Sequence, residues 1–171
     1  MNLEYQYQLV AFLEDEPAIG EPVYSGENGW FAQIALKRRF KLVDATEDEL
    51  LSKLGAYCRD TPGFIVRTNN LAQPDRMPVK ILEVEATPEL IDYHNGLIAF
   101  LGGAILSRYP ERDGIHYLPH VTAEFNGQMV IDHEKYSNRE FLIDKVFLLK
   151  DIRDENSIAY TELPLGPMKS T

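Results

Sequence analysis

The sequence is short of cysteine, of positive charge and of long apolar runs, and each shortage removes a class of answer. One cysteine in 171 residues, Cys58, rules out an internal disulfide. It lies in the helical pattern LLSKLGAYC with no metal-ligand spacing around it, and reads as a small buried helix residue. Seventeen Lys and Arg face 27 Asp and Glu, a formal net charge of -10. That balance argues against extended nucleic acid as a partner, because such binding draws its strength from neutralising phosphates. No apolar run approaches the roughly 18 to 20 residues that span a bilayer. The opening MNLEYQYQLVAFLEDEP shows neither a basic leader nor a small-residue cleavage site, so the expectation is a cytoplasmic protein with no membrane partner. No His, Asp and Glu residues fall at metal-ligand spacing, and neither a metal nor another cofactor is expected.

What is present is an ordinary globular composition, 44% apolar, with no linker or low-complexity tract, so residues 1–171 read as a single domain. Strands are expected over 3–13 and 30–37, separated by the loop EDEPAIGEPVYSGENG. Thr46-Glu47-Asp48-Glu49 has the form of a capping box, and Leu50, Leu51 and Leu54 continue with helical spacing, giving a helix over 46–60. Two strand-like runs, 64–71 and 79–86, flank the turn AQPDRMP as a hairpin. Thr87-Pro88-Glu89 opens a second helix, whose apolar face runs through Leu90, Leu97, Leu101 and Ile105 to about Tyr109. A loop at 110–114, a strand at 117–125, a polar irregular stretch at 126–138 and strands over 141–150 and 157–163, joined by the turn DIRDEN, complete the chain. Strands and helices mixed in this order, with frequent hairpins, specify an α+β fold. Phe31 to Lys37 (FAQIALK) can be laid over Leu118 to Glu124 (LPHVTAE). That suggests duplicated strand-helix-strand units packed as two pseudo-symmetric lobes, with two antiparallel sheets facing a central cleft.

The chemistry concentrates in YLPHVTAEF. Alternation along a strand sends His120, Thr122 and Glu124 to one face, and Val121, Ala123 and Phe125 to the core. An imidazole exchanges a proton near neutrality, and a hydroxyl roughly 6 to 7 Å along the strand can donate to a phosphoryl oxygen. Together they suit a phosphoester, although His and Thr two apart also arise by chance. The same alternation puts Gln33, Ala35, Lys37 and Arg39 on one face. The basic cluster Lys37-Arg38-Arg39 with Lys41 either holds one phosphate or is a solvated strand end. His116 and Tyr117 stand at the start of the motif strand as candidate lip residues, and His94, on a long helix, reads as structural.

PHVTAEF, after a loop and a long helix, resembles the second signature of the 2H phosphoesterase superfamily, the 2'-5' RNA ligase-like and cyclic phosphodiesterase-like proteins, which are defined by two His-x-Thr/Ser motifs. The resemblance covers most of the chain. It implies one motif on each side of a cleft, one histidine as general base, the other as general acid, and two hydroxyls on the phosphate. His120 and Thr122 match the second motif and would be the catalytic residues, with Pro119 before them as the family has it. The first motif is degenerate: Gln33 stands for its histidine and Ala35 for its hydroxyl residue, while Lys37 keeps a basic position. Gln33, Ala35, Lys37 and Tyr117 are then the ligand-binding candidates, for a small phosphorylated or nucleotide ligand.

A glutamine amide donates a hydrogen bond but exchanges no proton near pH 7, and an alanine methyl does neither. Losing one partner of an acid/base pair costs on the order of 10²- to 10⁴-fold in rate. Three functions stay open at this point. One is a phosphodiesterase-like hydrolase, weak or altered, acting through His120 on a small nucleotide or RNA-end phosphoester. The second is a non-catalytic module binding a phosphorylated ligand in the same cleft, and the third an interaction protein with a vestigial cleft. The sequence does not address oligomeric state.

Overall fold

A computed structural model describes residues 5–24, 29–75, 77–152 and 157–169. Residues 3 and 4 of the first expected strand, residue 76 of the AQPDRMP turn and most of DIRDEN lie outside the described residues. The chain runs β1 (Tyr7–Phe12), β2 (Gln33–Leu42), α1 (Glu47–Asp60), β3 (Phe64–Ala72), β4 (Ile81–Val84) and α2 (Pro88–Leu101). It continues through β5 (Ile105–Ser107), β6 (His120–Thr122), β7 (Glu124–Phe125), β8 (Gln128–Met129), α3 (His133–Tyr136), β9 (Glu140–Ile143), β10 (Lys145–Lys150) and β11 (Ile158–Pro164). The result is an α+β fold built on a curled antiparallel sheet in the order β11-β10-β1-β2-β6-β4-β3-β9, with β5 added beside β2 and β7-β8 a separate small sheet. None of its described helices is long and apolar enough to cross a membrane.

The sheet has two halves that meet at a single residue pair, Ile34 on β2 opposite Val121 on β6. On one side of it β2 pairs with β1, and β1 with β10; on the other, β6 pairs with β4, and β4 with β3. The two long helices, α1 and α2, pack on the same face. In α1 the capping box at Thr46 and Glu49 forms in full, and Leu50, Leu54 and Cys58 turn inward at four-residue spacing. In α2, Thr87 caps the Leu90 amide and Leu90, Tyr93, Leu97 and Leu101 turn inward. These side chains meet Leu9, Ala11, Ile34, Leu36 and Val121 in the main core. A smaller cluster of Val10, Phe12, Val23, Phe147 and Leu149 covers the opposite face of β1, which is why all six β1 residues are buried.

Several element boundaries differ from the sequence reading. The second helix stops at Leu101 rather than Tyr109, because Gly102 takes a φ of 48°; Ile105, counted on the helix face, pairs instead with Leu42 in the sheet. The expected strand 141–150 breaks at Asp144: β9 closes the sheet beside β3, whereas β10 crosses to the other half beside β1. Within the stretch read as irregular, Asn126 and Gly127 both adopt positive φ and turn β7 into β8. Phe125, expected in the core, is 45% exposed and rests against Trp30.

One correction bears on the site. Strict alternation puts Lys37 on the face of Gln33 and Ala35, but the β1–β2 register slips twice. Val10 pairs with Ala35 and Leu9 with Lys37, then Tyr7 pairs with Phe40. Each slip inserts one extra β2 residue, and a bulge reverses the alternation beyond it. Lys37 therefore turns to the core, 1% exposed, with Nζ at 3.1 and 3.3 Å from the two Asp113 carboxylate oxygens. Arg38 and Arg39 take the face that Lys37 was expected to occupy. Burial pushes the Lys37 ammonium below its usual pKa, and Asp113 opposes that shift. A buried charge that loses its partner is costly. We expect Asp113→Ala to lower stability by about 3 kcal/mol and Lys37→Met with Asp113→Ala to recover most of it. Urea unfolding of the three proteins checks this; a cost for Asp113→Ala within the ordinary surface range would show that the pair carries no such strain.

Candidate phosphate-binding site

β6 is three residues long and lies between β2 and β4, with Val121 paired to Ile34 on one side and to Leu82 on the other. Val121 and Ile34 both point into the core, so their neighbours emerge on the opposite face. The antiparallel register through Ile34 and Val121 sets Gln33 beside Thr122 and Ala35 beside His120. All four line one open hollow of about 170 Å³. Gln8 and Val10 of β1 and Arg38 and Arg39 of β2 form more of its wall. Tyr24, Trp30 and Phe31, from the segment before β2, and Tyr109, after β5, supply aromatic surface.

The hollow brings together His120, Thr122, Gln33 and Ala35 but excludes the other two sequence candidates. Lys37 is on the far face with Asp113, for the register reason given above. Tyr117 packs behind the site: its hydroxyl donates to the Ala35 carbonyl at 2.9 Å, and its ring stacks on His94 with centroids 3.8 Å apart. His94 is the structural residue its helix position implied. Its Nδ1–H donates to the Leu36 carbonyl at 2.8 Å, and its Nε2 accepts from the Gly114 amide at 3.0 Å. His116 lies in the 3₁₀ turn Gly114–His116, ahead of the motif strand and outside the hollow. Glu124 lies 3.4 Å from Lys80 rather than against Lys37 or Arg39. Within the basic cluster, Lys41 sits over the Tyr5 ring, leaving Arg38 and Arg39 as the members that reach the hollow. Among the described residues no group of three His, Cys, Asp or Glu side chains converges as a metal site requires.

His120 donates from Nδ1 to the Leu118 carbonyl at 2.9 Å, which leaves Nε2 with its lone pair directed toward Arg38 Nη2 at 3.4 Å. Burial, reinforced by the positive charges of Arg38 and Arg112 and opposed by the Leu118 carbonyl, pushes its pKa down to about 4. The imidazole is therefore neutral at physiological pH. Arg39 is neutralised by an ion pair with Asp151, whereas Arg38 has no ion pair among the described residues. Tyr24 accepts a hydrogen bond from Gln8 Nε2 at 2.9 Å and also lies in hydrogen-bonding range of the Gln33 amide; burial raises its pKa, so it keeps its proton. The Gln33 Oε1 atom is buried with no hydrogen-bond partner among the described residues. The ensemble is one neutral imidazole, one threonine, an unpaired guanidinium and a glutamine. It can hold a phosphoryl group and accept one proton, but it holds no second imidazole to return one.

Sequence reasoning missed Gln8, Tyr24, Trp30, Phe31 and Tyr109. Gln8 sits in a β1 run that alternation alone left unassigned, three of the aromatics flank a loop, and Tyr109 fell within the overlong helix. Only the basic cluster carried a usable signal, and the bulges decided which of its members point inward.

No protein-family model matches the sequence, and no curated protein matches it. Comparison of structures gives a different result. A phosphoesterase crystal structure superposes with a TM-score of 0.61 at 16% identity, covering 95% of this chain and 99% of that one. A protein of Thermus thermophilus gives 0.58 at 14%, covering 95% and 98%. Escherichia coli LigT complexed with 3'-AMP gives 0.57 at 19%, covering 94% and 98%. At these identities the likeness is one of fold, and it spans nearly the whole chain. The chain shares the fold of phosphoesterase and LigT structures, as the His-x-Thr resemblance implied.

Proposed function

We propose that the chain binds a small phosphorylated ligand, of the nucleotide class, in the hollow between Gln33 and His120, and that it does so without efficient turnover. The observation that carries this reading is the juxtaposition of Arg38, His120 and Thr122, a cation and two polar groups converging from two strands, opposite a residue that exchanges no proton. Arg38 supplies the charge-assisted hydrogen bonds that a phosphoryl oxygen takes most strongly, and Thr122 adds a hydroxyl donor. The fold supports the same class of ligand, since LigT has been crystallised with 3'-AMP, with phosphate and with NADP+. A net charge of -10 and a hollow of about 170 Å³ favour a small ester over a polynucleotide strand.

A second reading rests on one feature. The neutral His120, with Nε2 free of any proton, is in the form required of a general base, so a slow one-histidine cleavage of a cyclic phosphodiester, with water supplying the other proton, is chemically available. The missing acid and the missing second hydroxyl set its rate well below that of a two-histidine site.

Titration calorimetry with inorganic phosphate and 3'-AMP distinguishes these readings from an empty cleft. We expect both to bind, and Arg38→Ala to weaken binding about 10- to 100-fold, the loss of a charge-assisted hydrogen bond, with the fold intact by circular dichroism. Incubation with 2',3'-cyclic AMP should release no product beyond that seen with His120→Ala. Turnover abolished by that substitution would replace the binding reading with the slow hydrolase.

His120 also supplies a pH signature. Its folded-state pKa lies below the unfolded value of about 6.5, so the neutral form is the one the fold favours. This group's contribution to stability is complete above pH 6.5 and is lost as pH falls through about 4. A bound phosphate favours the imidazolium and must raise the midpoint. In an NMR titration the His120 ring should titrate near pH 4 in the free protein and at least about one pH unit higher with saturating phosphate, a shift worth about 1.4 kcal/mol. An unmoved midpoint would place the phosphate away from His120.

A further inference from the structure

We propose that His94 is a positioning residue for the hollow: its imidazole, in the one neutral form its neighbours permit, pins the segment between β5 and β6 against β2, and protonating it releases that segment and weakens anion binding. The effect on binding rests on the phosphate reading above, whereas the release does not. Backbone groups set the form of the ring, which is 1% exposed. The Leu36 carbonyl, 2.8 Å from Nδ1, can only accept, so Nδ1 carries the proton; the Gly114 amide, 3.0 Å from Nε2, can only donate, so Nε2 keeps its lone pair. The ring does work that a neighbouring strand would otherwise do. β2 leaves β6 after Ile34 and meets β5 only at Phe40. Over that gap the Ala35 and Leu36 carbonyls accept from Tyr117 and His94, and the Arg39 carbonyl accepts from the Arg108 amide at 2.9 Å. Arg38, which lines the hollow, belongs to the same stretch.

An imidazolium has no lone pair. Its Nδ1–H would keep Leu36, but Nε2–H would face the Gly114 N–H, donor against donor, so the loop side lets go while the β2 side holds. Burial opposes protonation most, the Leu36 carbonyl and Asp113 favour it and Lys37 opposes it, which leaves the pKa below the usual histidine value. Tyr117, stacked on the ring, keeps its own proton. The stabilisation from neutral His94 is therefore complete above about pH 6.5 and fades as pH falls. What is released bears on the site. The segment brings Tyr109 to the wall of the hollow, with the Arg108 and Arg112 guanidinium groups 5.3 and 5.7 Å from its ring centre, and the Arg112 charge reaches His120.

Amide exchange followed by NMR tests the release without a ligand. As pH falls through the titration of the His94 ring, the protection factor of the Gly114 amide should drop at least about 10-fold, while β1 amides paired with β10 keep theirs. His94→Leu should show that loss at every pH. His94→Gln, whose amide donates and accepts but does not titrate, should show it at none. Calorimetry with sulfate, a tetrahedral dianion throughout this range, tests the coupling. The ratio of native to His94→Gln affinity should be near one above about pH 7 and fall at least about threefold below the His94 midpoint, with His120 common to both proteins. Gly114 protection that ignores the His94 titration or survives in His94→Leu would overturn the assignment, as would a ring that stays neutral until the whole protein unfolds. Release of Gly114 with an unchanged affinity ratio would overturn the positioning role and leave only a latch within the fold. Failure of sulfate to bind any of these proteins would remove the phosphate reading and the effect on binding with it.

Discussion

One backbone pairing organises the molecule. Among the described residues Ile34 and Val121 form the one register pair between β2 and β6, and that pairing makes one continuous sheet of two halves. Both side chains are buried among the helix-side core, and burying each contributes roughly 1.5 to 3 kcal/mol. Because side chains alternate, fixing these two inward fixes Gln33, Ala35, His120 and Thr122 outward onto the same hollow. A slip of one residue at this pair would send His120 and Thr122 into the core and Val121 into the pocket. The apolar residue at the centre of each three-residue motif is thus what aims the polar ones.

The charge pattern of the site follows from a second backbone feature. The two register slips between β1 and β2 divide a run of three cations between opposite faces: Lys37 inward to Asp113, Arg38 and Arg39 into the hollow. An acidic protein thereby places a guanidinium with no ion pair among the described residues beside a half-buried imidazole, which desolvation, reinforced by that charge, keeps neutral. The inward Lys37–Asp113 pair has a structural consequence as well. Asp113 also accepts from Ser107, and the Gly114 amide donates to His94, so the segment between β5 and β6, which contributes Tyr109 to the hollow, is tied to both β2 and α2.

The parts of this arrangement that depend on local pattern were legible in the sequence. Both helix starts follow from their threonine caps, the β3–β4 hairpin from its turn residues, and the orientation of His120 and Thr122 from period-two alternation. The resemblance of PHVTAEF to one half of a paired motif supplied Gln33 and Ala35, which no property of those residues alone would have marked. What was illegible depends on contacts distant in sequence. A bulge is the outcome of pairing with another strand, and Lys37 carries no local sign that it points inward. Tyr117 read as a ligand-binding lip residue because the His94 ring that stacks on it is 23 positions earlier. Asn126-Gly127 is the exception, a local hairpin signal in a stretch whose polarity made it read as irregular.

On the proposed reading, the energetics of the hollow favour a pocket that binds over a vestigial cleft. A ligand there offsets the cost of the Gln33 amide oxygen, which is buried with no partner among the described residues, and meets the half-buried Arg38 and His120. Local rules of this kind are broken mainly where a ligand repays the cost. The same reasoning weighs against vigorous hydrolysis: catalysis needs a proton donor placed for the leaving group, and the position that a second imidazole would take holds an amide whose oxygen can only accept. A receptor site requires complementary hydrogen bonds and charge in the ground state, which Arg38, Thr122 and Gln33 are placed to provide, whereas an enzyme must bind the transition state better than the substrate. On the proposed reading the chain carries groups that serve binding, and it has Gln33 and Ala35 where the resemblance would put a second histidine and a second hydroxyl.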